Sequence, residues 1–199
     1  AKLGGYQVQA GQHDAALAAL EESIVLRTGL VAQFPEYTRF KLGLAATLGE
    51  QASLFSATKR FAAAAANADR MIEILEPIQA QDPTALNTSE FLLYSYLTRG
   101  VALYKARQLG DAQLALEKAV ELGNRLRSQD RATGSVHNRY LALSCDYLGR
   151  VLFHKDEYPA ALDKWNTAIS LHNENASAAE SQVSVALVQS YRAWAFERL

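Results

Sequence analysis

The chain has 199 residues, a net charge of −1 and a pI near 6.5, so it shows no sign of the basic stripe that nucleic-acid binding needs. Hydrophobic residues make up 49%, with only 4 Pro and 11 Gly, which excludes a disordered or collagen-like chain. No run of about 18 apolar residues occurs, so no membrane contact is predicted. The single cysteine, Cys145, excludes an internal disulfide and, with no visible signal peptide, predicts a cytoplasmic location.

The first half of the chain reads as helices separated by prolines. Apolar spacing predicts an opening helix around Gly4, a second over about 14–30 and, after Pro35, a third over about 36–48. Ser56 or Thr58 is expected to cap a long alanine-rich helix that runs to Glu76. Pro77 is expected to kink or end that helix, and Asp82-Pro83 marks the next break.

The second half continues the pattern with five more helices. They are predicted over about 90–106, 110–127, 136–154, 158–171 and 178–199. Pro159 falls in the first turn of its helix, where its missing N–H costs nothing. The sequence thus predicts nine helices and no strand, which is the all-α class.

Two stretches of this second half repeat each other at a distance of 49 residues. They begin at Gly100 and Gly149, and they carry matching residues at offsets of +12, +16, +19 and +20: Ala112 and Ala161, Leu116 and Trp165, Ala119 and Ala168, Val120 and Ile169. A fixed period of 20 to 50 residues is typical of stacked-repeat proteins. Glycine inside a helix costs about 1 kcal/mol against alanine, so its repetition indicates close helix packing. We expect the glycines to face Ala112 and Ala161, with Leu116 and Trp165 between hairpins.

These residues resemble the tetratricopeptide repeat. The best match runs through Leu148-Gly149, Tyr158, Ala161-Leu162, Trp165 and Ala168-Ile169. Weaker units begin at Gly100, at Leu3-Gly4 and at Leu42-Gly43, the last with Ala64, Ala68 and Met71 as equivalents. Successive glycines at 4, 43, 100 and 149 are 39, 57 and 49 residues apart, against a usual period of about 34. The segment 30–46 is similar to long-period repeats of multidomain bacterial signalling proteins.

The resemblance implies a right-handed superhelical stack of antiparallel helix hairpins, a TPR-like α-solenoid of about four hairpins plus a C-terminal helix. The expected single domain spans 1–199, with units at about 1–34, 35–84, 85–132 and 133–174 and a terminal helix at 176–198. The short opening unit and the unpaired last helix predict a segment of a longer protein, or ends covered by another chain. A solvating final helix is the alternative.

In such stacks the first helix of each hairpin lines the concave side. Positions around each glycine then predict a face for a peptide or partner protein, formed by Tyr37, Phe40, Lys41, Tyr94, Leu97, Tyr104, Lys105, Asp146, Arg150, Phe153 and His154. Burial between hairpins is the alternative for each aromatic residue. The Lys and Asn pair with which related chaperone-binding modules hold a terminal carboxylate is absent, so capture of such a tail is not expected.

No pattern of catalytic or metal-ligating residues is found. The four histidines are scattered, and neither a phosphate-binding glycine loop nor a nucleophile elbow is present. We therefore expect no enzyme activity, no metal and no cofactor.

The leading function is a non-catalytic protein–protein interaction scaffold. The alternative is a regulatory or sensor arm of a larger signalling enzyme, a kinase or protease, that responds to a peptide or small ligand, so that partners include other domains of the same parent chain. An RNA-binding helical repeat is disfavoured by the near-neutral charge.

Overall fold

The computed structural model describes residues 2–129, 136–174 and 179–197, and this part of the chain forms eight α-helices and no strand. The helices are α1 (Lys2–Gln33), α2 (Thr38–Ala57), α3 (Phe61–Gln81), α4 (Leu86–Lys105), α5 (Leu109–Gln129), α6 (Val136–His154), α7 (Tyr158–Glu174) and α8 (Ala179–Phe196). The all-α prediction is confirmed. The predicted unit boundary at 132–133 and the start of the terminal helix at 176 lie outside the described residues.

The first 34 residues do not form a hairpin. Lys2–Gln33 are one continuous helix with no break near Gly11, so the predictions of nine helices and of four hairpins are wrong. Three hairpins follow α1 instead, namely α2–α3, α4–α5 and α6–α7, and α8 comes last. Glycine lowers helix stability by only about 1 kcal/mol, which a long helix tolerates.

Helix α2 ends about nine residues later than predicted, at Ala57 and not near residue 48. Ser56 is inside α2 and Thr58 is its C-cap, with the Thr58 hydroxyl donating to the Leu54 carbonyl at 2.9 Å. The expectation that these residues cap the next helix at its N-terminus is wrong. Pro77 lies inside α3, which continues to Gln81, so proline does not end this helix.

The turns inside the three hairpins have the same geometry. Each holds one residue in the left-handed region: Lys59 (φ 60°), Arg107 (φ 65°) and Asp156 (φ 62°). In each turn the following N–H donates to the carbonyl five residues earlier, and the three bonds are Arg60 to Phe55 (2.7 Å), Gln108 to Leu103 (2.9 Å) and Glu157 to Leu152 (2.9 Å). This is the Schellman motif, which satisfies the free carbonyls at a helix end. The left-handed residues are 48 and 49 residues apart, so the spacing is nearly constant.

This spacing changes the register of the second unit. It places Ala52, and not Gly43, at the position of Gly100 and Gly149, so the prediction based on Gly43 is wrong. Offsets of +12, +16 and +19 from Ala52 are Ala64, Ala68 and Met71, the residues predicted as equivalents, and all four are fully buried.

The repeated glycines make room for the residue at +16. A Cβ added at Gly100 would lie 2.5 Å from Leu116 Cγ, and one added at Gly149 would lie 2.5 Å from Trp165 Nε1. The glycines therefore face Leu116 and Trp165, whereas we expected Ala112 and Ala161. Where alanine replaces the glycine, at Ala52, the +16 residue is the small Ala68, because a crossing holds only a limited volume.

The helices form a row of neighbours. Each helix packs against the next one in the chain, and contacts also join α2 to α4, α4 to α6, and α6 to α8. The first helices of successive hairpins are therefore adjacent, and side chains from several of them can meet on one face.

Candidate functional site

A cavity of about 510 Å³ opens between α2, α4 and α6. Its lining comes from Ala46, Glu50 and Ser53 of α2, from Asn87, Glu90, Phe91 and Tyr94 of α4, and from Val136 and Tyr140 of α6. On each helix these residues recur at intervals of three or four positions, with Glu90 and Phe91 adjacent to each other, which places them on one face. We call this site the cleft.

Tyr94 is held at the centre of the cleft by neighbours on both sides. Its hydroxyl lies 2.9 Å from the Ser53 Oγ, and its ring centroid lies 5.3 Å from that of Tyr140. Gly49 leaves space for it, because a Cβ there would lie 2.9 Å from Tyr94 Cε1. The ring is thus fixed between α2 and α6, with its rotamer restricted before any ligand binds.

Glu90 is oriented by a buried histidine. His137 Nδ1 lies 3.1 Å from Glu90 Oε1, and the His137 side chain is only 2% exposed whereas that of Glu90 is 37% exposed. A carboxylate can only accept, so Nδ1 is the donor. The bond leaves the Glu90 carboxylate open to the cleft, where the exposed Glu50 provides a second one.

A second aromatic cluster lies where α4 and α6 end. The Tyr104 ring is 5.8 Å from both Tyr147 and His154, and its hydroxyl is 3.3 Å from His154 Nε2. Burial raises the pKa of Tyr104, and it lowers the pKa of His154. Burial thus disfavours the charged form of both groups.

The predicted residues Tyr37, Phe40 and Lys41 lie away from the cleft, at the corner between α1 and α2. Tyr37 and Phe40 pack with Phe34 at centroid distances of 5.7 to 6.0 Å, and Arg39 lies 4.9 Å above the Phe40 ring. Tyr37 is 48% exposed. The corner is a small surface cluster, separate from the other predicted residues.

Four residues predicted to line an open face are buried, so that prediction is wrong for them: Leu97, Asp146, Arg150 and Phe153. Arg150 and Asp146 form a bidentate ion pair at 2.5 and 3.0 Å. The Arg150 guanidinium also lies 4.8 Å from the rings of both Tyr147 and Tyr191. Since Tyr191 belongs to α8, the last helix covers this part of α6.

Phe153 is buried by the same helix. Its ring lies 5.0 Å from Trp194 of α8 and 5.9 Å from Trp165 of α7. Trp165 in turn stacks on Tyr191 at 5.8 Å. Phe153 and Trp165 are therefore core between α6, α7 and α8, whereas Tyr191 is half-buried and Trp194 is 46% exposed.

Of the eleven predicted residues, Tyr94 alone lines the cleft, while Lys105 and His154 are exposed at the far end of α4 and α6. Glu50, Glu90 and Tyr140 were missed because every predicted position lay within six residues of Gly43, Gly100 or Gly149, whereas these three lie seven to ten residues away. The cleft lies toward the N-terminal half of α4 and α6. Helical spacing is the signal that could have identified the cleft, since Asn87, then Glu90 or Phe91, then Tyr94 recur every three or four residues and share one face of the helix.

Within the described residues, no group of three or more His, Cys, Asp or Glu could hold a metal ion. Cys145 is buried, and burial raises the pKa of its thiol to about 12. A reactive cysteine requires a lowered pKa and access to solvent, so Cys145 behaves as a packing residue. Among the helices described, none is long and apolar enough to cross a bilayer.

Neither the protein-family models nor the curated proteins compared with this chain include a match to it.

Proposed function

We propose that this chain is a non-catalytic binding module that holds a segment of a partner protein in the cleft between α2, α4 and α6. The observation that supports this is the cleft itself, an open cavity of about 510 Å³ to which three hairpins each contribute their first helix. Its volume is typical of ligand sites, and its mixture of aromatic walls and few polar groups suits a side chain with its adjacent backbone.

We also propose that the hairpins form a right-handed TPR-like stack with the cleft on its concave side. Supporting this are the three identical turns spaced by 48 and 49 residues and the contacts between alternate helices. In such a stack the first helices face inward, so one ligand can touch three units at once.

A protein segment is a better candidate than a nucleic acid. Phosphates require positive charge, whereas the cleft carries the carboxylates of Glu50 and Glu90. The single, buried Cys145 is compatible with the reducing cytoplasm.

The test is selection of a displayed random peptide library on the purified chain, followed by titration of the selected peptides. Ala46→Trp fills the cleft from α2, and we expect it to weaken their binding at least about tenfold. Leu114→Trp adds the same ring at a position of α5 that is 62% exposed and outside the cleft, and it should change affinity by less than about twofold. Selection of no peptide, or equal effects of the two variants, would overturn the proposal.

A further inference from the structure

The two carboxylates of the cleft have no opposite charge beside them in the lining. Glu50 and Glu90 face the cavity, and among the described residues that line it there is no lysine, arginine or histidine. His137 lies behind Glu90 and is 2% exposed, so a ligand meets the carboxylate rather than the imidazole. Two like charges at one cavity favour a cationic group as the occupant.

The aromatic and apolar residues that line the cleft can contact the uncharged part of a side chain that carries such a cationic group. Phe91 and Tyr94 present rings from α4, and Ala46 and Val136 add apolar surface from α2 and α6. Tyr140 already has the Arg139 guanidinium 5.7 Å from its centroid, so Phe91 and Tyr94 are the rings left for a ligand. A cation above an aromatic ring is attracted by the negative face of the ring, and aliphatic stems pack on apolar surface.

We propose that the cleft recognises a basic side chain of the bound segment, arginine before lysine; this inference rests on the proposed function. The planar guanidinium stacks on an aromatic ring and donates to a carboxylate through two parallel bonds, which an ammonium group cannot do. The fixed ring of Tyr94 and the carboxylate of Glu90, which His137 holds in place, give these contacts a fixed geometry. An acidic segment would meet like charge and would be rejected.

The experiment uses a defined probe, a blocked pentapeptide with one central arginine flanked by alanines, titrated into the isotope-labelled chain and followed by NMR. We expect saturable shift changes at the amides of Glu50, Glu90 and Tyr94. The same peptide with citrulline keeps the shape but loses the charge, and it should bind about tenfold more weakly. A lysine peptide should fall between the two.

Matched variants of the chain localise the effect. Glu50→Gln with Glu90→Gln removes both charges and should weaken the arginine peptide about tenfold. Glu21→Gln with Glu22→Gln removes two charges from exposed positions on α1, outside the cleft, and should leave affinity within about twofold.

Two results would overturn this inference: equal affinity for the arginine and citrulline peptides, or no saturable shift with either. If the Ala46→Trp variant nevertheless loses its affinity for the library-selected peptides, the cleft is a binding site without a preference for basic residues. In that case the proposed function stands. If the selection also fails, both proposals fall.

Discussion

The two ends of α6 carry similar aromatic residues in different surroundings. Near its start, Tyr140 meets Tyr94 at the edge of an open cleft. Seven residues later Tyr147 lies on the same side of the helix, but there Arg150 is packed between Tyr147 and Tyr191 of α8. The difference arises because α8 packs on α7 and contacts α6, and it places Tyr191 and Trp194 against this part of α6. A first-helix aromatic residue thus belongs to the core or to an open surface according to whether the next helix covers it.

The largest expected difference between the two ends is in stability. Trp165 is fully buried beneath α8, and its Nε1 donates to the Asp146 carbonyl at 3.2 Å. Trp165→Ala should lower the free energy of unfolding by about 3–5 kcal/mol. Tyr140→Ala, in the open cleft, should cost about 1 kcal/mol or less. Chemical denaturation followed by circular dichroism measures both, and comparable losses would contradict the distinction between the covered and the open end.

A smaller effect on stability is expected at Gly149, where helix α6 lies close to the Trp165 side chain. Gly149→Ala places a Cβ against the fully buried indole of Trp165. Overpacking of about 1–3 kcal/mol should exceed the gain of about 1 kcal/mol in helix propensity, so stability falls. At Gly110 an added Cβ meets nothing within 4 Å, so Gly110→Ala should raise stability by up to about 1 kcal/mol. If the melting temperatures of both variants shift in the same direction, the close contact with Trp165 does not determine the effect of the added methyl group.

The smallest effect is an acid response of α7 near its end, where Leu171 packs with Leu141 of α6. His172 of α7 is 4% exposed, and burial lowers its pKa below the usual 6.5. The unfolded chain therefore takes up this proton more readily than the folded one. The stability that His172 contributes is present above pH 6.5 and is lost as the pH falls through the lower folded-state pKa. Denaturation at pH 7.5 and pH 5 should show this loss.

A glutamine at position 172 cannot take up the proton, so His172→Gln should flatten the difference in stability between pH 7.5 and pH 5. His13→Gln in α1 is the control and should leave the difference as it is. If both variants keep the full acid response, other groups are responsible for it.

Much of the fold could be predicted because helix signals are local. Apolar spacing and Asp82-Pro83 identified most helices, and the residues of 136–154 were predicted with the bounds that the structure has. The second unit was misaligned because glycine was taken as its marker, whereas Ala52 fills that position beside the small Ala68. Small residues can replace each other there without leaving a pattern in a single sequence.

The site was harder to predict than the fold. Helical spacing can place Asp146, Arg150 and Phe153 on one side of α6, but it cannot say what covers that side. Tyr191 and Trp194, from a helix about 40 residues further along, decide it. Glu90 likewise gains its role through His137, 47 residues away in the chain.

From the order of its residues alone, this chain specifies most of its helices and the matched small residues that pack inside the hairpins, Gly100 with Ala112 in one and Gly149 with Ala161 in the next. Those features depend on neighbours within a hairpin, which spacing along the chain describes. Tertiary structure alone decided which aromatic residues α8 buries and which remain open with Glu50 and Glu90. The exposure of a side chain depends on contacts between hairpins, and the sequence of one helix does not indicate which other helix will pack on it.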